Sequence, residues 1–211
     1  MEKSCIHHVE FGVRNGEEYV RKFRQQYKFA LIGTRFTKHL KQWVLLSGTA
    51  RILLTQQLLP FINSTSDIYH VPWIQSSSLN EKHSLPHLDS VYNVALKVKN
   101  IKEITEKLSR SGVSIVKPLQ TVADADGEVK LATVKSCIGN VVHTLIDDAG
   151  YKGLFLPKFN LPDMKELQLN SSETLTTHFD HVTFACNCGD SEQVLNWYSN
   201  NFGMRRFLMN R

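Results

Sequence analysis

Apolar and polar residues alternate in three short segments of the chain: Ile6-His7-His8-Val9-Glu10-Phe11, Val91-Tyr92-Asn93-Val94-Ala95-Leu96 and Phe179-Asp180-His181-Val182-Thr183-Phe184. A period of two sends successive side chains to opposite faces, so each segment predicts a half-buried strand. A helical period follows each one. Gly16 to Gln26 carries Tyr19, Val20, Phe23 and, just beyond, Tyr27 at helical spacing. Asn100 to Ser111 places Ile101, Ile104 and Leu108 on one face, with Gly112 as the C-terminal stop. Asp190 to Asn201 offers Val194, Leu195, Trp197 and Tyr198 as its apolar side. Further strands are expected at Ala30–Arg35, Trp43–Leu46 and Arg51–Thr55, then at Val113–Val116, Lys130–Lys135 and Val141–Ile146. The turn pairs Ser47-Gly48, Asp126-Gly127 and Gly139-Asn140 divide them.

The pattern is strand, helix and three strands, met twice, with a third copy opening before Arg211. A polar stretch from Ser64 to Asp89 reads as a long connection between the first two units. A second linker is expected over Leu161 to Thr177. Such units do not cover their own sheets, so they pair, and two curved sheets then face a shared cavity. That α+β arrangement resembles the vicinal oxygen chelate fold, the glyoxalase and bleomycin-resistance type. Residues 1–160 would form one complete module, 161–177 a linker, and 178–211 the start of a second, incomplete module.

Composition changes this picture little. The chain is 42% hydrophobic and 21% charged, the balance of a globular protein. Its net charge of +5 raises nucleic acid as a partner, but the basic residues are interleaved with acids. Arg21-Lys22-Phe23-Arg24 falls on an amphipathic helical pattern as a solvated face, and no nucleic-acid motif accompanies it. Cys5, Cys137, Cys186 and Cys188 give neither a disulfide framework nor paired zinc-ligand spacing. No apolar run has the length of a membrane span, and Met1-Glu2-Lys3-Ser4 does not read as an Arg-rich transit peptide.

In the vicinal oxygen chelate fold, metal ligands occupy inward positions on the first and last strands of the units. His8, Asn93 and His181 hold the same place in their strands, and the carboxylate position falls at Thr144. Imidazole suits a first-row divalent metal, whereas the Asn amide is a poor ligand. The first module is thus expected to lack a metal site, with His8 buried and hydrogen-bonded. His7 and His143 should alternate away from it. His39, His70, His83 and His87 lie in polar stretches and read as surface residues.

Four blocks carry a more specific resemblance. Gly127-Glu128-Val129-Lys130-Leu131-Ala132-Thr133-Val134, Gly139-Asn140-Val141-Val142-His143-Thr144-Leu145-Ile146, Gly150-Tyr151-Lys152-Gly153-Leu154-Phe155-Leu156-Pro157 and Asp180-His181-Val182 are similar to segments of the 4-hydroxyphenylpyruvate dioxygenase family. Lys158 departs from it, standing where the family's Leu-Pro-Gly turn has Gly. The segment Asp180 to Cys186 is closer to the family's dioxygenase-like branch than to the tyrosine-catabolic enzymes.

The resemblance implies one Fe(II) held by two His and one Glu, with an aromatic 2-oxo acid and O2 as substrates. It makes His181 the first metal ligand and places the other two beyond this chain. In that branch it implies conversion of 4-hydroxyphenylpyruvate to 4-hydroxymandelate, towards the coenzyme Q headgroup, in the mitochondrion. A cytoplasmic location, homogentisate formation and a homodimer are the open alternatives. The chain itself, with one ligand of three, is expected to be inactive. A competing reading is a short isoform that serves as a binding or dimerisation module. A glyoxalase-like enzyme using only the first module is disfavoured by Asn93 and Thr144.

Overall fold

A computed structural model describes residues 5–58, 67–71 and 89–206. The elements run β1 (Cys5–Gly12), α1 (Gly16–Tyr27), β2 (Ala30–Phe36), β3 (Leu40–Ser47), β4 (Ala50–Gln57), β5 (Ser90–Lys97), α2 (Ile101–Arg110), β6 (Ile115–Asp124), β7 (Gly127–Lys135), β8 (Val142–Asp147), α3 (Met164–Gln168) and α4 (Ser191–Phe202). Local chemistry marks several of the helix ends. The Asn15 side chain accepts from the Glu18 N–H at the start of α1, whose first turn is acidic and whose last holds Arg24. Asp163 caps α3 in the same way, and Gly203 ends α4 in the left-handed conformation.

The eight strands form one sheet in the order β2-β3-β4-β1-β5-β8-β7-β6. β1 and β5 are antiparallel at its centre, and each is flanked by a parallel partner, β4 and β8. The two halves therefore repeat one topology, as the repeated pattern predicts. β6 is an edge strand containing Pro118, and its register with β7 shifts around that residue. Proline lacks the ladder N–H and is tolerated at such an edge.

Alternation then separates two faces. On the outer face, Trp43, Leu45, Ile52 and Leu54 pack with Val20 of α1. Val94, Leu96, Val134 and Leu145 pack with Ile101 and Leu108 of α2. On the inner face, Val44, Leu53, Ala95, Val129, Leu131 and Ile146 form a third cluster, covered by Tyr69, Phe155 and Leu156. The motif around Leu154 to Pro157 thus works as a plug over the curled sheet. Leu45, Leu108 and Leu145 are wholly buried, and truncating any of them to Ala costs about 2–5 kcal/mol.

Several expectations need correction. Residues 179–184 form no strand: the ladder groups of a strand need a neighbour, and among the described residues none pairs there. The strand expected at Val113–Val116 is found at Ile115–Asp124, and the linker at 161–177 carries the short helix α3. Most of the connection at 64–89 lies outside the described residues, but Asp67 to Val71 are anchored and partly buried. The segment after the linker also packs on the first module. Tyr198 and Phe202 of α4 are buried in the α2-side core, with Val182, Phe184, Val194 and Trp197 against it. Leu195 stays exposed, as an apolar helix face short of partners would leave it.

Candidate functional site

Where the fold's metal centre is expected, the inner face carries a network of hydrogen bonds. His8 and Glu10 of β1, Asn93 of β5, and Thr133 and Thr144 of β7 and β8 line a residual cavity of about 20 Å³. That is room for about one water molecule. All five side chains are buried.

Glu10 is the centre of the network and is 1% exposed. The Thr55 hydroxyl donates to its Oε1 at 2.6 Å, and the Tyr92 hydroxyl donates to the same oxygen. Asn93 Nδ2 donates to Oε2 at 2.8 Å and to Thr144 Oγ1 at 2.9 Å. Behind Thr55, Gln42 Nε2 donates to its hydroxyl at 3.1 Å, and Arg35 donates to Gln42 Oε1 at 2.8 Å. Arg35 also pairs with Asp67 at 2.7 Å. Donors thus point one way, from the Arg35 guanidinium towards the Glu10 carboxylate. A buried carboxylate survives only with such compensation.

The electrostatics follow from burial. Loss of water pushes the Glu10 carboxyl up, against its three hydrogen bonds and the charge of Lys117. Burial lowers the Lys117 ammonium to about 8, against the charges of Asp67 and Glu10. That ammonium donates to the backbone carbonyls of Asp67 and Ile68 at 2.5 and 3.0 Å. Burial alone would raise the Asp67 carboxyl, but Arg35, the Tyr69 N–H and Lys117 bring it below its ordinary value.

Sequence reasoning missed Glu10, although the two-residue period places it on the same face as His8. It also misplaced His7. The register between β1 and β5 shifts between Ile6 and His8, and this bulge turns both imidazoles inward. Their Nδ1 atoms lie 2.8 Å apart, so one donates and the other accepts. Both rings pack on Phe155. Burial holds both well below the usual histidine range, with Arg51 adding to the effect on each. Asp148, 3.7 Å from His7 Nε2, opposes it at His7.

His143 does alternate to the outer face, as expected. Its Nδ1 meets the Val94 carbonyl at 2.9 Å, so that nitrogen carries the proton, and Nε2 accepts from the Tyr198 hydroxyl at 2.9 Å. Of the histidines expected at the surface, His70 is buried and His39 half-buried, while His83 and His87 lie outside the described residues.

His181 stands apart from this network. Its side chain is 74% exposed, and its Nδ1 lies 2.8 Å from Asp180 Oδ2. The Asp180 carboxyl is lowered by that hydrogen bond and by the imidazole charge. Asn93 and Thr144 satisfy each other instead of pointing at an ion, with Asn93 Oδ1 also accepting from the Thr144 N–H. Among the described residues, no group of three or more His, Cys, Asp or Glu could hold a metal ion. The donors present therefore do not fit a facial triad of two imidazoles and a carboxylate. No described helix is long and apolar enough to cross a membrane.

No protein-family model matches the chain. Individual proteins do. The 4-hydroxyphenylpyruvate dioxygenase-like proteins of Rattus norvegicus and Homo sapiens are each 28% identical over 196 residues, 93% of this chain and 47% of theirs. The 4-hydroxyphenylpyruvate dioxygenase of Dictyostelium discoideum is 33% identical over 128 residues, 59% of this chain and 34% of that protein. The chain spans about half the length of the curated relatives it matches. Among solved structures, a mutant of 4-hydroxymandelate synthase from Streptomyces coelicolor superposes with a TM-score of 0.71. It is 19% identical, with 99% of this chain and 55% of that one covered. The curled, doubled sheet and the similarity along nearly the whole length agree: this chain is a homologue of the 4-hydroxyphenylpyruvate dioxygenase-like proteins, built on the vicinal oxygen chelate type of fold.

Proposed function

We propose that this chain is the front part of an iron-dependent dioxygenase that converts 4-hydroxyphenylpyruvate to 4-hydroxymandelate, and that the chain alone is inactive. The observation that supports this reading is the hydrogen-bonded inner face of the first module. Among the described residues, Glu10, Asn93, Thr133 and Thr144 are joined through hydrogen bonds, and the cavity they line, about 20 Å³, is too small for an organic substrate. Chemistry on an aromatic 2-oxo acid then belongs to the module that begins near His181. In this reading His181 is one of three metal ligands, and Asp180 fixes its ring. Iron supplies the oxygen-activating step when bound. The residues in hand do not complete its site, so no step is assigned to them.

The first module then serves as a rigid scaffold. Phe155 and Leu156 pack in its inner core, and its outer face offers the surface on which α4 rests.

An anaerobic Fe(II) titration of the 211-residue chain, beside His181→Ala, tests the ligand count. Neither protein should bind iron stoichiometrically. One tight equivalent, lost on substitution, would mean that this chain supplies a full ligand set and would overturn the claim of inactivity. The reaction is tested on a longer protein that contains this sequence, given 4-hydroxyphenylpyruvate and O2. Release of homogentisate in place of 4-hydroxymandelate would overturn the product.

A further inference from the structure

A cleft of about 770 Å³ opens on the outer side of the sheet, where α4 rests. Small-molecule sites are of this size, about 300–1,000 Å³. The sheet lends it Ile6, Val94, Leu96 and His143, from the neighbouring strands β1, β5 and β8. Strands lie about 4.8 Å apart, so these three span about 10 Å. The helix α4 lends Val194, Leu195 and Tyr198, and the segment before it lends Val182 and Phe184. The buried polar groups among these are already matched. His143 Nδ1 donates to the Val94 carbonyl and its Nε2 accepts from Tyr198, so neither nitrogen is left for a ligand. Phe184 and Tyr198 stack on each other, with centroids 5.7 Å apart and 20° between their planes. The walls that remain open are therefore aliphatic, and Leu195 lies exposed among them.

Charge is confined to exposed positions of the cleft, at Glu192, Arg205 and Arg206. Arg206 donates to Glu192 at 2.6 Å, which leaves Arg205 as the cleft's unpaired charge among the described residues. His143 adds none at neutral pH, because burial lowers it to about 4. The cleft thus offers an apolar interior of aliphatic side chains and one cation at its exposed side. We propose that it binds an aliphatic carboxylate of the fatty-acid kind, its tail along Val94, Leu96 and Leu195 and its head at Arg205. Burial of the tail supplies the affinity, and the guanidinium selects the anion. Neither His181 nor Glu10 lines the cleft, so the site stands apart from the iron reading.

The test titrates the full chain with decanoate in metal-free buffer, below the concentration at which decanoate forms micelles. Calorimetry reads the affinity, and methyl chemical shifts read the place. Saturable binding is expected, with shifts at Val94, Leu96, Val194 and Leu195. Decanol, with the same tail and no charge, should bind more weakly. Arg205→Gln should weaken decanoate about two- to fivefold, the share of an exposed ion pair, and leave decanol unchanged. Added salt should weaken decanoate and not decanol. Leu195→Glu, which sets a like charge against the ligand, should weaken decanoate by about tenfold. Both residues are exposed, and the salt and decanol comparisons need no variant. Absent saturation, shifts centred elsewhere, indifference to Arg205→Gln, or equal affinity for decanoate and decanol would each overturn the proposal. So would a chain that dimerises through this face and excludes decanoate. Because no metal is present, either outcome leaves the dioxygenase reading to its own iron titration.

Discussion

Lys158 holds a positive φ of 69°, in the left-handed region that Gly enters freely and other residues enter at a cost. This is the one position in the plug where the sequence departs from the family's Leu-Pro-Gly turn. The backbone keeps the turn regardless, because the Lys158 N–H donates to Asp124 Oδ2. Lys158→Gly should therefore stabilise the fold by about 0.5–1 kcal/mol, read as a higher urea midpoint at unchanged slope. Glu10 works in the opposite sense. In Glu10→Leu the Thr55 and Tyr92 hydroxyls and the Asn93 amide lose their buried acceptor. A loss of about 1–3 kcal/mol is expected, checked by the same unfolding measurement. Glu10 was legible in principle from its two-residue offset from His8, whereas the inward turn of His7 was not. A bulge depends on the register of the partner strand, which no local pattern records.

His143 also sets a pH dependence. Burial lowers its pKa to about 4, below the 6.5 of an ordinary histidine. The unfolded chain then binds the proton more tightly, so stability is full above pH 6.5 and is lost as pH falls from 6.5 towards 4. At pH 5 this one group should cost about 2 kcal/mol relative to neutral pH. His143→Phe should remove that share of the slope when denaturant midpoints are compared at pH 7 and pH 5. An equal slope in the two proteins would place the acid sensitivity elsewhere.

At the scale of elements, the exposed edge of β2 is managed by the linker. Asn170 pairs with Leu31 as a strand would: its Oδ1 accepts from the Leu31 N–H at 2.9 Å, and its Nδ2 donates to the Leu31 carbonyl at 3.0 Å. Asn160 bridges Thr34 through two backbone hydrogen bonds further along the same edge. Arg24 of α1 holds Glu166 of α3 at 2.6 Å and so keeps the linker in place. Thr177 closes it, its carbonyl accepting from Thr49 N–H at 2.7 Å beside Gly48, whose φ is 58° and whose missing Cβ leaves that space. Asn170→Ala should cost about 1–2 kcal/mol and speed exchange of the Leu31 amide, measured by hydrogen exchange. Most strand and helix periods along 5–57 and 90–147 were legible because each element carries its own pattern; β6, at Ile115–Asp124, was read only in its first two residues, since Pro118 and two register shifts interrupt its alternation. The linker's role was not, since a polar stretch can guard an edge only where the fold brings one to it.

For the whole molecule, the hydroxyl of Tyr198 joins the C-terminal segment to the first module through His143. Tyr198→Phe leaves the buried His143 Nε2 without its donor. Amides of α4 should then exchange faster by about tenfold, while those of β5 and β8 keep their protection. Equal loosening of the sheet would show that α4 is part of its core instead of a layer on it. The doubled architecture was legible from three matching segments, but the third match misled at this scale. Residues 179–184 have the alternation of a strand without a partner, and alternation alone supplies no ladder.

The central pairing of β1 has a consequence for how the chain acquires its shape. Val9 lies opposite Ile52 on one side and Val94 on the other. Among the described strands, β1 is thus the one that waits longest for both neighbours as the chain is made. Neither half-sheet can close its inner side before β5 has emerged. Contacts of such sequence separation make the search slow, because loop-closure entropy is spent before burial returns it. Until then β1 presents unpaired N–H and C=O groups beside Val9 and Phe11, and this early interval is when the nascent chain is most exposed to wrong pairing.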